Sequence, residues 1–409
     1  MVRSDDYSRG SSSAQWRVAL AHRRKAIEAE IRLAGGIHAR PVSRRLGLFD
    51  RGRSLMGGRF RVGLTRDFLN EKGQLSFEIG LELLDGHAEI DWDYLPEDTP
   101  ALRNEDVRGY DALLVLAPKV TARTLDGNDR LAIIARFGVG YDSVDIGACS
   151  RQGIAVTITP DGVRRPVAVA AVTYVLALSQ KLLIKDRLTR SGRWAEKKTH
   201  MGIGVVGRVL GIIGLGNIGR EVCRLATPFG LRLVAHDPYV DRDAAAAVGA
   251  ELIGLEDLLR TSDFVCVCAA LTDESRHLID ARRLALMKPT AFLINVARGP
   301  IVDQTALTET LRAGRLQGAG LDVFEQEPPN SGDPLFSLEN VIVSPHGICW
   351  TDQCFADNGR SAWTSILDVA AGRAPQYVVN RDVLGSPRFQ ERLRRYGALA
   401  AEGQAVGGA

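Results

Sequence analysis

The chain has no uninterrupted run of eighteen or more apolar residues, so hydropathy gives no reason to expect a membrane span. Its six cysteines include no C-x-x-C pair, and two of them, Cys266 and Cys268, sit in the apolar run "FVCVCAA" as buried thiols would. That usage argues against a secreted disulfide scaffold and suits a reducing cytoplasm, where the protein is expected. The start lacks a continuous apolar stretch followed by small residues, so a secretory signal is not expected either. No internal repeat is visible beyond two α/β units in tandem, and charge of one sign is not in excess overall, the net being +3.

What is present is an ordinary globular balance over 409 residues, 45% hydrophobic and 25% charged, enough for two to three domains. The charge is uneven. Residues 1–61 hold fourteen Arg and Lys against five Asp and Glu, whereas the remainder is mildly acidic. Clusters such as "HRRK" (His22–Lys25) and "SRR" (Ser43–Arg45) could touch nucleic acid or anionic lipid. The simpler expectation is a disordered basic extension over 1–60, with Met56 as a plausible natural start and no nucleic-acid or membrane partner.

After the extension, "RFRVGLT", "AEIDWDYL", "YDALLVL", "LAIIARF" and "GIAVTIT" read as strands, and "SFEIGLELLD" (Ser76–Asp85) as an amphipathic helix ended by Gly86. A long alanine-rich helix is expected from Pro166 to about Thr189, uncharged until Lys181, buried and connecting two domains. Six further strands follow: "VLGIIG", "LRLVAHD", "DFVCVCAAL", "AFLINVA", "GAGLDVF" and "NVIVSP". Strands alternating with helices imply parallel sheets. The fold class expected is α/β, with two Rossmann-like doubly wound parallel-sheet domains. The first is discontinuous: 61–162 and a return segment 345–385 form a substrate domain, 163–344 the NAD-binding domain, and 386–409 a C-terminal tail.

Gly214-x-Gly216-x-x-Gly219 follows an apolar strand and opens a helix, and Asp237 stands eighteen residues after Gly219, near the end of the next strand. Gly214 allows a tight turn, Gly216 lets backbone approach a pyrophosphate, and Gly219 lets helix and strand pack closely. The helix N-terminus offers free N–H groups to phosphate. Asp237 can accept from both ribose hydroxyls and would repel a 2′-phosphate, so NAD is the expected cofactor.

Three strands end in residues able to do chemistry: Arg298 after "AFLINVA", Asp322 with Glu325 and Glu327 after "GAGLDVF", and His346 after "NVIVSP". Arginine can clamp a carboxylate, and histidine can trade a proton near neutral pH. "GLGNIG" with Asp237, "NVARGPIVD", "DVFEQEP", "SPH" and "FGVGYDSVD" (Phe137–Asp145), in this order and spacing, resemble the D-isomer-specific 2-hydroxyacid dehydrogenases from about Arg61 to about Leu384. The resemblance implies an NAD-dependent exchange of hydride with a small 2-hydroxy or 2-oxo acid, in a homodimer. It implies that His346 is the acid/base, that Glu327 orients it and stabilises its charged form, and that Arg298 binds the substrate's carboxylate and carbonyl oxygen. The backbone at Val139 and Gly140 would hold the carboxylate. Asn217 and Ile218 would lie against the pyrophosphate, Asp322 near the nicotinamide amide, and Val296, Ala297 and Gly347 along the cofactor.

The chain departs from that family's pattern in four places. Val167–Ala170 is apolar where a Glu-His pair is frequent. Gly347-Ile348-Cys349-Trp350 replaces small residues after the histidine, so Trp350 is expected either in a core or interface or in a reshaped pocket wall. Arg164 and Arg165 either present a second positive charge near the cleft or form a solvated helix start before Pro166. Too little chain follows Asn380 for the regulatory domain of some phosphoglycerate dehydrogenases. Glu327 argues against the formate-oxidising branch, which carries Gln there. An NAD(H)-sensing binding or corepressor-like module on the same fold remains the alternative.

Overall fold

A computed structural model describes residues 59–407, so the expectations for the basic extension and for Met56 lie outside the described residues. The first sheet is parallel, in the order β2-β1-β3-β4-β5. Its strands are β1 (Phe60–Leu64), β2 (Ile90–Tyr94), β3 (Ala112–Val115), β4 (Ile133–Arg136) and β5 (Ala155–Thr157). Both faces are covered, which is why these strands read as continuous apolar runs. Leu113 and Ile134 enter one core, while Leu114, Ile133 and Ala135 enter the other.

The second sheet has seven parallel strands in the order β12-β11-β10-β9-β6-β7-β8. They are β6 (Val209–Ile213), β7 (Arg232–His236), β8 (Ala250–Leu252), β9 (Phe264–Val267), β10 (Phe292–Asn295), β11 (Gly318–Leu321) and β12 (Val341–Val343). Sequence reading counts six because β8 is a three-residue edge strand with an exposed Glu251, too short and polar to carry a pattern. Strand order reverses between β6 and β9, and the crevice beyond that reversal is where such sheets bind ligands.

The expected helix over 166–189 is two helices. α1 (Pro160–Ser179) starts earlier, with Pro160 in its first turn, and α2 (Leu182–Arg190) follows a break where Lys181 adopts φ 51°. Length and composition would let α1 cross a membrane, but it works here as a core helix. Ala168, Ala171, Tyr174 and Leu178 are buried with the second sheet, and its neighbours are α3 (Asn217–Ala226) and, further along the chain, the return helix. Beyond α4 (Gln304–Arg312), that return helix is α5 (Asp352–Ala370). It lays Phe355, Ala362, Trp363 and Ile366 into the core of the first sheet, so the first domain is discontinuous.

Two segments differ from their sequence reading. Ser76–Asp85 is not a helix beyond one 3₁₀ turn at Leu81–Leu84. α5 competes for its backbone: Trp363 Nε1 donates to Ile79 O at 2.9 Å, and the Ile79–Gly80 chain lies so close to Gly359 that a Cβ there would stand 2.2 Å from it. The boundary at 386 does not end the packed lobe. α6 (Pro387–Gly407) buries Phe389, Leu393 and Tyr396, and the Tyr396 hydroxyl donates to Asp111 Oδ1 at 2.7 Å.

Candidate active site

The glycine turn is built as its spacing requires. Gly214 has φ 92°, and a Cβ there would stand 2.6 Å from the Ala269 backbone. A Cβ on Gly219 would stand 2.1 Å from Gly214 O, so this glycine sets the approach of α3 to β6. Gly216 has nothing within 4 Å of such a Cβ and opens on space. It is also the N-cap of α3 and supplies no side-chain cap, so the N–H groups of Asn217, Ile218 and Gly219 are left for a ligand. Asp237 Oδ2 accepts from Leu215 N at 2.8 Å and Oδ1 from Tyr239 N at 2.9 Å. Each oxygen keeps a lone pair for a ribose hydroxyl. The residues fit a dinucleotide: an open phosphate cradle and an oriented acid at the switch point.

Past β12 the chain makes a tight turn in which His346 has φ 50°. A positive φ is costly for a side chain of this kind, and surrounding bonds hold it. His346 N donates to Asp322 O at 2.8 Å. Asp322, only 4% exposed, accepts on Oδ1 from Gly347 N at 2.9 Å, Ile348 N at 3.1 Å and Ser344 Oγ at 2.5 Å. The Tyr174 hydroxyl meets Ser344 Oγ at 2.5 Å, tying the turn to α1. Asp322 thus anchors the histidine turn, a part that its sequence position did not suggest.

His346 Nδ1 lies 2.7 Å from Glu327 Oε2. Glu327 Oε1 accepts from Phe324 N at 3.0 Å, and a cis peptide joins Glu327 to Pro328. Burial pushes the Glu327 carboxyl up, but His346, the Phe324 N–H and the Arg298 charge outweigh it and hold the carboxyl below its usual range. The same balance brings Arg298, Glu327 and His346 into one electrostatic group.

Asn295 brackets the turn that carries Arg298: its Oδ1 accepts from Ala297 N at 3.1 Å and its Nδ2 donates to Arg298 O at 3.0 Å. Val296 and Ala297 form that turn. Arg298 Nε donates to Asp142 Oδ1 at 3.0 Å and Nη1 to Ala297 O at 2.7 Å. Nη2 lies over Gly140, where a Cβ would stand 1.4 Å from it. The loop of Val139 and Gly140 is therefore directly under the arginine. Gly138 N donates to Thr159 Oγ1 at 2.8 Å, and Thr159 Oγ1 in turn to Asn358 Oδ1 at 2.7 Å, which pins the loop to α1 and α5. Sequence reading names no role for Asp142, although it stands inside "FGVGYDSVD".

Of the departing residues, Trp350 is 47% exposed and meets Phe355 and Phe77 edge-on, at ring distances of 5.2 and 6.1 Å. Cys349 hydrogen-bonds Cys354, and that bond together with burial pushes its thiol far up. Arg164 and Arg165 do not precede the helix but lie within α1. Arg165 pairs with Glu221 at 2.7 Å, and Arg164 stands 3.9 Å from Asp161.

Residues 172–347 match the family model described as D-isomer specific 2-hydroxyacid dehydrogenase, NAD binding domain. The glyoxylate reductase of Thermococcus onnurineus is 37% identical over 323 residues, 76% of this chain and 96% of that protein. That of Thermococcus gammatolerans is 39% identical over 318 residues, 75% and 94%. Among solved structures, the TT0316 protein of Thermus thermophilus superposes with a TM-score of 0.70 at 30% identity, covering 78% of this chain and 100% of its own. A glyoxylate reductase from Paecilomyes thermophila, at 24% identity and a TM-score of 0.69 over 79% and 99% of the two chains, shares the fold. The chain belongs to the D-isomer-specific 2-hydroxyacid dehydrogenases and is an NAD-dependent enzyme of that family.

Proposed function

We propose that the enzyme interconverts a small 2-oxo acid and its D-2-hydroxy acid, with His346 as acid/base, Glu327 as its orienting partner and Arg298 as the carboxylate and carbonyl anchor. The observation that carries this reading is the 2.7 Å contact of His346 Nδ1 with Glu327 Oε2, one strand end from Arg298. With Nδ1 donating to the carboxylate, Nε2 is the atom left to exchange a proton with the substrate oxygen. Glu327, held ionised, stabilises the imidazolium when His346 has taken that proton.

NAD would be held by the N–H groups of Asn217, Ile218 and Gly219, with Gly214 and Gly216 shaping the turn, Asp237 on the ribose, and Val296, Ala297, Asp322 and Gly347 along the cleft. When bound it supplies the acceptor or donor for the hydride at the substrate's C2. Arg298 binds the carboxylate and polarises the C2 oxygen, and the backbone N–H groups of Val139 and Gly140 complete the anion site. In the oxidation direction His346 must begin neutral, and in reduction protonated.

The names of the relatives support glyoxylate and acids like it as substrates. The substrate domain proposed comprises 61–162 and the return segment from 345 on through α6, and the cofactor domain 163–344. Exposed Val169, Leu182 and Leu183 on α1 and α2 support a homodimer, and six free cysteines support a cytoplasmic location.

The test is NADH and NADPH oxidation with a panel of glyoxylate, hydroxypyruvate, phenylpyruvate and 2-oxoglutarate. Turnover of at least one, abolished in His346→Ala with NADH affinity retained, supports the reading. Tight NADH binding without turnover of any would favour the NAD(H)-sensing module instead.

A further inference from the structure

Two cysteines that the proposed chemistry does not use meet where the histidine turn joins α5. Cys349 stands three residues after His346, and Cys354 is the third residue of α5. The chain folds back between them. Trp350 N donates to Gly347 O at 2.9 Å, and Thr351 caps α5 by accepting from Cys354 N at 3.1 Å. Trp350 and Phe355 pack across that cap, which fixes the angle at which the chain enters the helix. The fold-back sets the Cys349 thiol against the Cys354 sulfur, to which it donates a hydrogen bond.

The two sulfurs are not equivalent. The bond from Cys349 holds the Cys354 thiol below its ordinary range, against the opposing effect of burial. Asn358 Nδ2 also donates to Cys354 Sγ, at 3.6 Å, and the first turn of a helix favours negative charge. Cys349 keeps its proton and part of its surface open. The other cysteines differ. Burial pushes the Cys149 and Cys223 thiols up to about 12. Cys266 and Cys268 touch at 3.6 Å, but they are alternate residues along one strand, and the Cys268 thiol is raised well above its ordinary value. Only the pair at 349 and 354 joins a thiolate-forming sulfur to a partly open neighbour, as a redox-sensing dithiol requires.

Both ends of this pair lead into the site. On the Cys349 side, Gly347 N and Ile348 N donate to Asp322 Oδ1, which holds the histidine turn. On the Cys354 side, Asn358 Oδ1 accepts from Thr159 Oγ1, and Thr159 Oγ1 from Gly138 N in the glycine loop. Asn358 has little room to yield, since a Cβ on Gly162 would stand 2.2 Å from its Oδ1.

We propose that Cys349 and Cys354 are a modification site: hydrogen peroxide joins them in a reversible disulfide that slows the enzyme by moving the histidine turn and the glycine loop. The Cys354 thiolate attacks one peroxide oxygen. The S–O bond forms, the O–O bond breaks, and the leaving hydroxide takes the Cys349 proton to become water. The Cys349 thiolate then attacks the Cys354 sulfenic sulfur. The S–S bond forms, and hydroxide leaves with the proton that Cys354 had given to solvent. The two sulfurs lose two electrons, and the peroxide ends as two waters. The sulfurs close to about 2 Å, so Cys354 Sγ leaves Asn358 Nδ2 and the backbone at Ile348 is drawn toward α5. In a reducing compartment such a pair rests as thiols and bridges only transiently. The effect on rate rests on the proposed reaction; the bond itself does not.

The experiment treats the reduced wild type, Cys349→Ser and Cys354→Ser with hydrogen peroxide, alkylates the unfolded chains with iodoacetamide and digests them with trypsin. Trypsin leaves both cysteines in the peptide 316–360. In the wild type that peptide should be two hydrogens lighter than its reduced form, with neither sulfur alkylated, and dithiothreitol should reverse the change. As the bridge forms, kcat/KM for glyoxylate should fall by about 10-fold or more, while NADH affinity changes by less than about 3-fold. Dithiothreitol should restore it, and neither variant should show the bridge or the reversible loss. Both sulfurs alkylated after peroxide, or a bridge that leaves kcat/KM unchanged, overturns the inference. So does a reversible loss that persists in Cys349→Ser. Should Cys354→Ser fail to fold, Cys349→Ser gives the same comparison. If no 2-oxo acid is turned over, the proposed reaction falls, and the mass of 316–360 still decides whether the bridge forms.

Discussion

Arg298, at the end of β10 in the second sheet, donates from Nε to Asp142 Oδ1 at 3.0 Å, and Asp142 belongs to the glycine loop of the first sheet. One ion pair therefore links the two halves of the cleft. Its geometry leaves Nη2 over Gly140, with no room for a Cβ. Burial pushes the Asp142 carboxyl up, but the Arg298 charge and hydrogen bond outweigh it and hold it below the ordinary range. The acid stays charged wherever the enzyme would work.

Gly140→Ala must displace the Arg298 guanidinium, because the added methyl would overlap Nη2 at 1.4 Å. A misplacement of about 1 Å in a positioning group costs on the order of 100-fold. We expect kcat/KM for the 2-oxo acid to fall by about that factor, mostly through KM, while NADH affinity changes by less than about 3-fold. Steady-state kinetics and a fluorescence titration of NADH check it. Unchanged KM would mean that Arg298 does not hold the acid.

Glu327→Gln keeps the shape but removes the charge that stabilises the imidazolium, so kcat should drop by roughly 10²- to 10⁴-fold, as for other orienting acids. Stability carries a second sign. The folded carboxyl titrates below the unfolded value of about 4.3. Its stabilising share is therefore present above that unfolded value and is lost as pH falls through the folded one. Through the carboxylate range, below about pH 4, the gap between wild type and Glu327→Gln in urea midpoints should narrow as pH falls. A gap that widened over that range would contradict the sign.

Asp322 supports the histidine turn with a single oxygen that accepts three hydrogen bonds. Replacing it by Ala leaves two backbone N–H groups and the Ser344 hydroxyl without that partner in a buried site. Lost bonds to a buried acceptor cost about 2–4 kcal/mol together. Asp322→Asn, which keeps an acceptor oxygen, should lose less than half of that. Urea unfolding of the two variants, compared with their kcat values, tests whether the turn at φ 50° and the activity fall together.

Much of this was legible in the chain. Gly214, Gly216, Gly219 and Asp237 carry a spacing that only a strand–turn–helix needs, and Arg298, Glu327 and His346 stand directly after apolar strands. Other features were hidden for physical reasons. β8 is an edge strand of three residues, so alternation has no length over which to appear. Ser76–Asp85 has a helical pattern, but its backbone is drawn onto Gly359 and Trp363 by residues nearly three hundred positions later. Asp142 stood in a quoted motif without a role, because its partner Arg298 reaches it from another domain. Asp322 read as a cofactor contact because its place at a strand end says nothing of the turn that folds back on it.

The glycine turn separates packing from binding within one motif. At Gly219 a methyl would stand 2.1 Å from Gly214 O, inside any tolerated contact, so Gly219→Ala must push α3 away from β6. Overpacking of this kind costs about 1–3 kcal/mol, and the protein should lose that much in urea unfolding with NAD absent. At Gly216 the same methyl meets nothing within 4 Å, so Gly216→Ala should fold with a midpoint close to that of the wild type. The space it fills is where a pyrophosphate must come against backbone N–H groups. NADH affinity should therefore fall by at least about 10-fold in Gly216→Ala, a difference of about 1.4 kcal/mol in binding. Unfolding curves without cofactor and NADH titrations of both variants give four numbers. If Gly216→Ala bound NADH as the wild type does, the open side of the turn would not be the phosphate cradle. If it were instead as unstable as Gly219→Ala, the space at Gly216 would be filled by the protein itself.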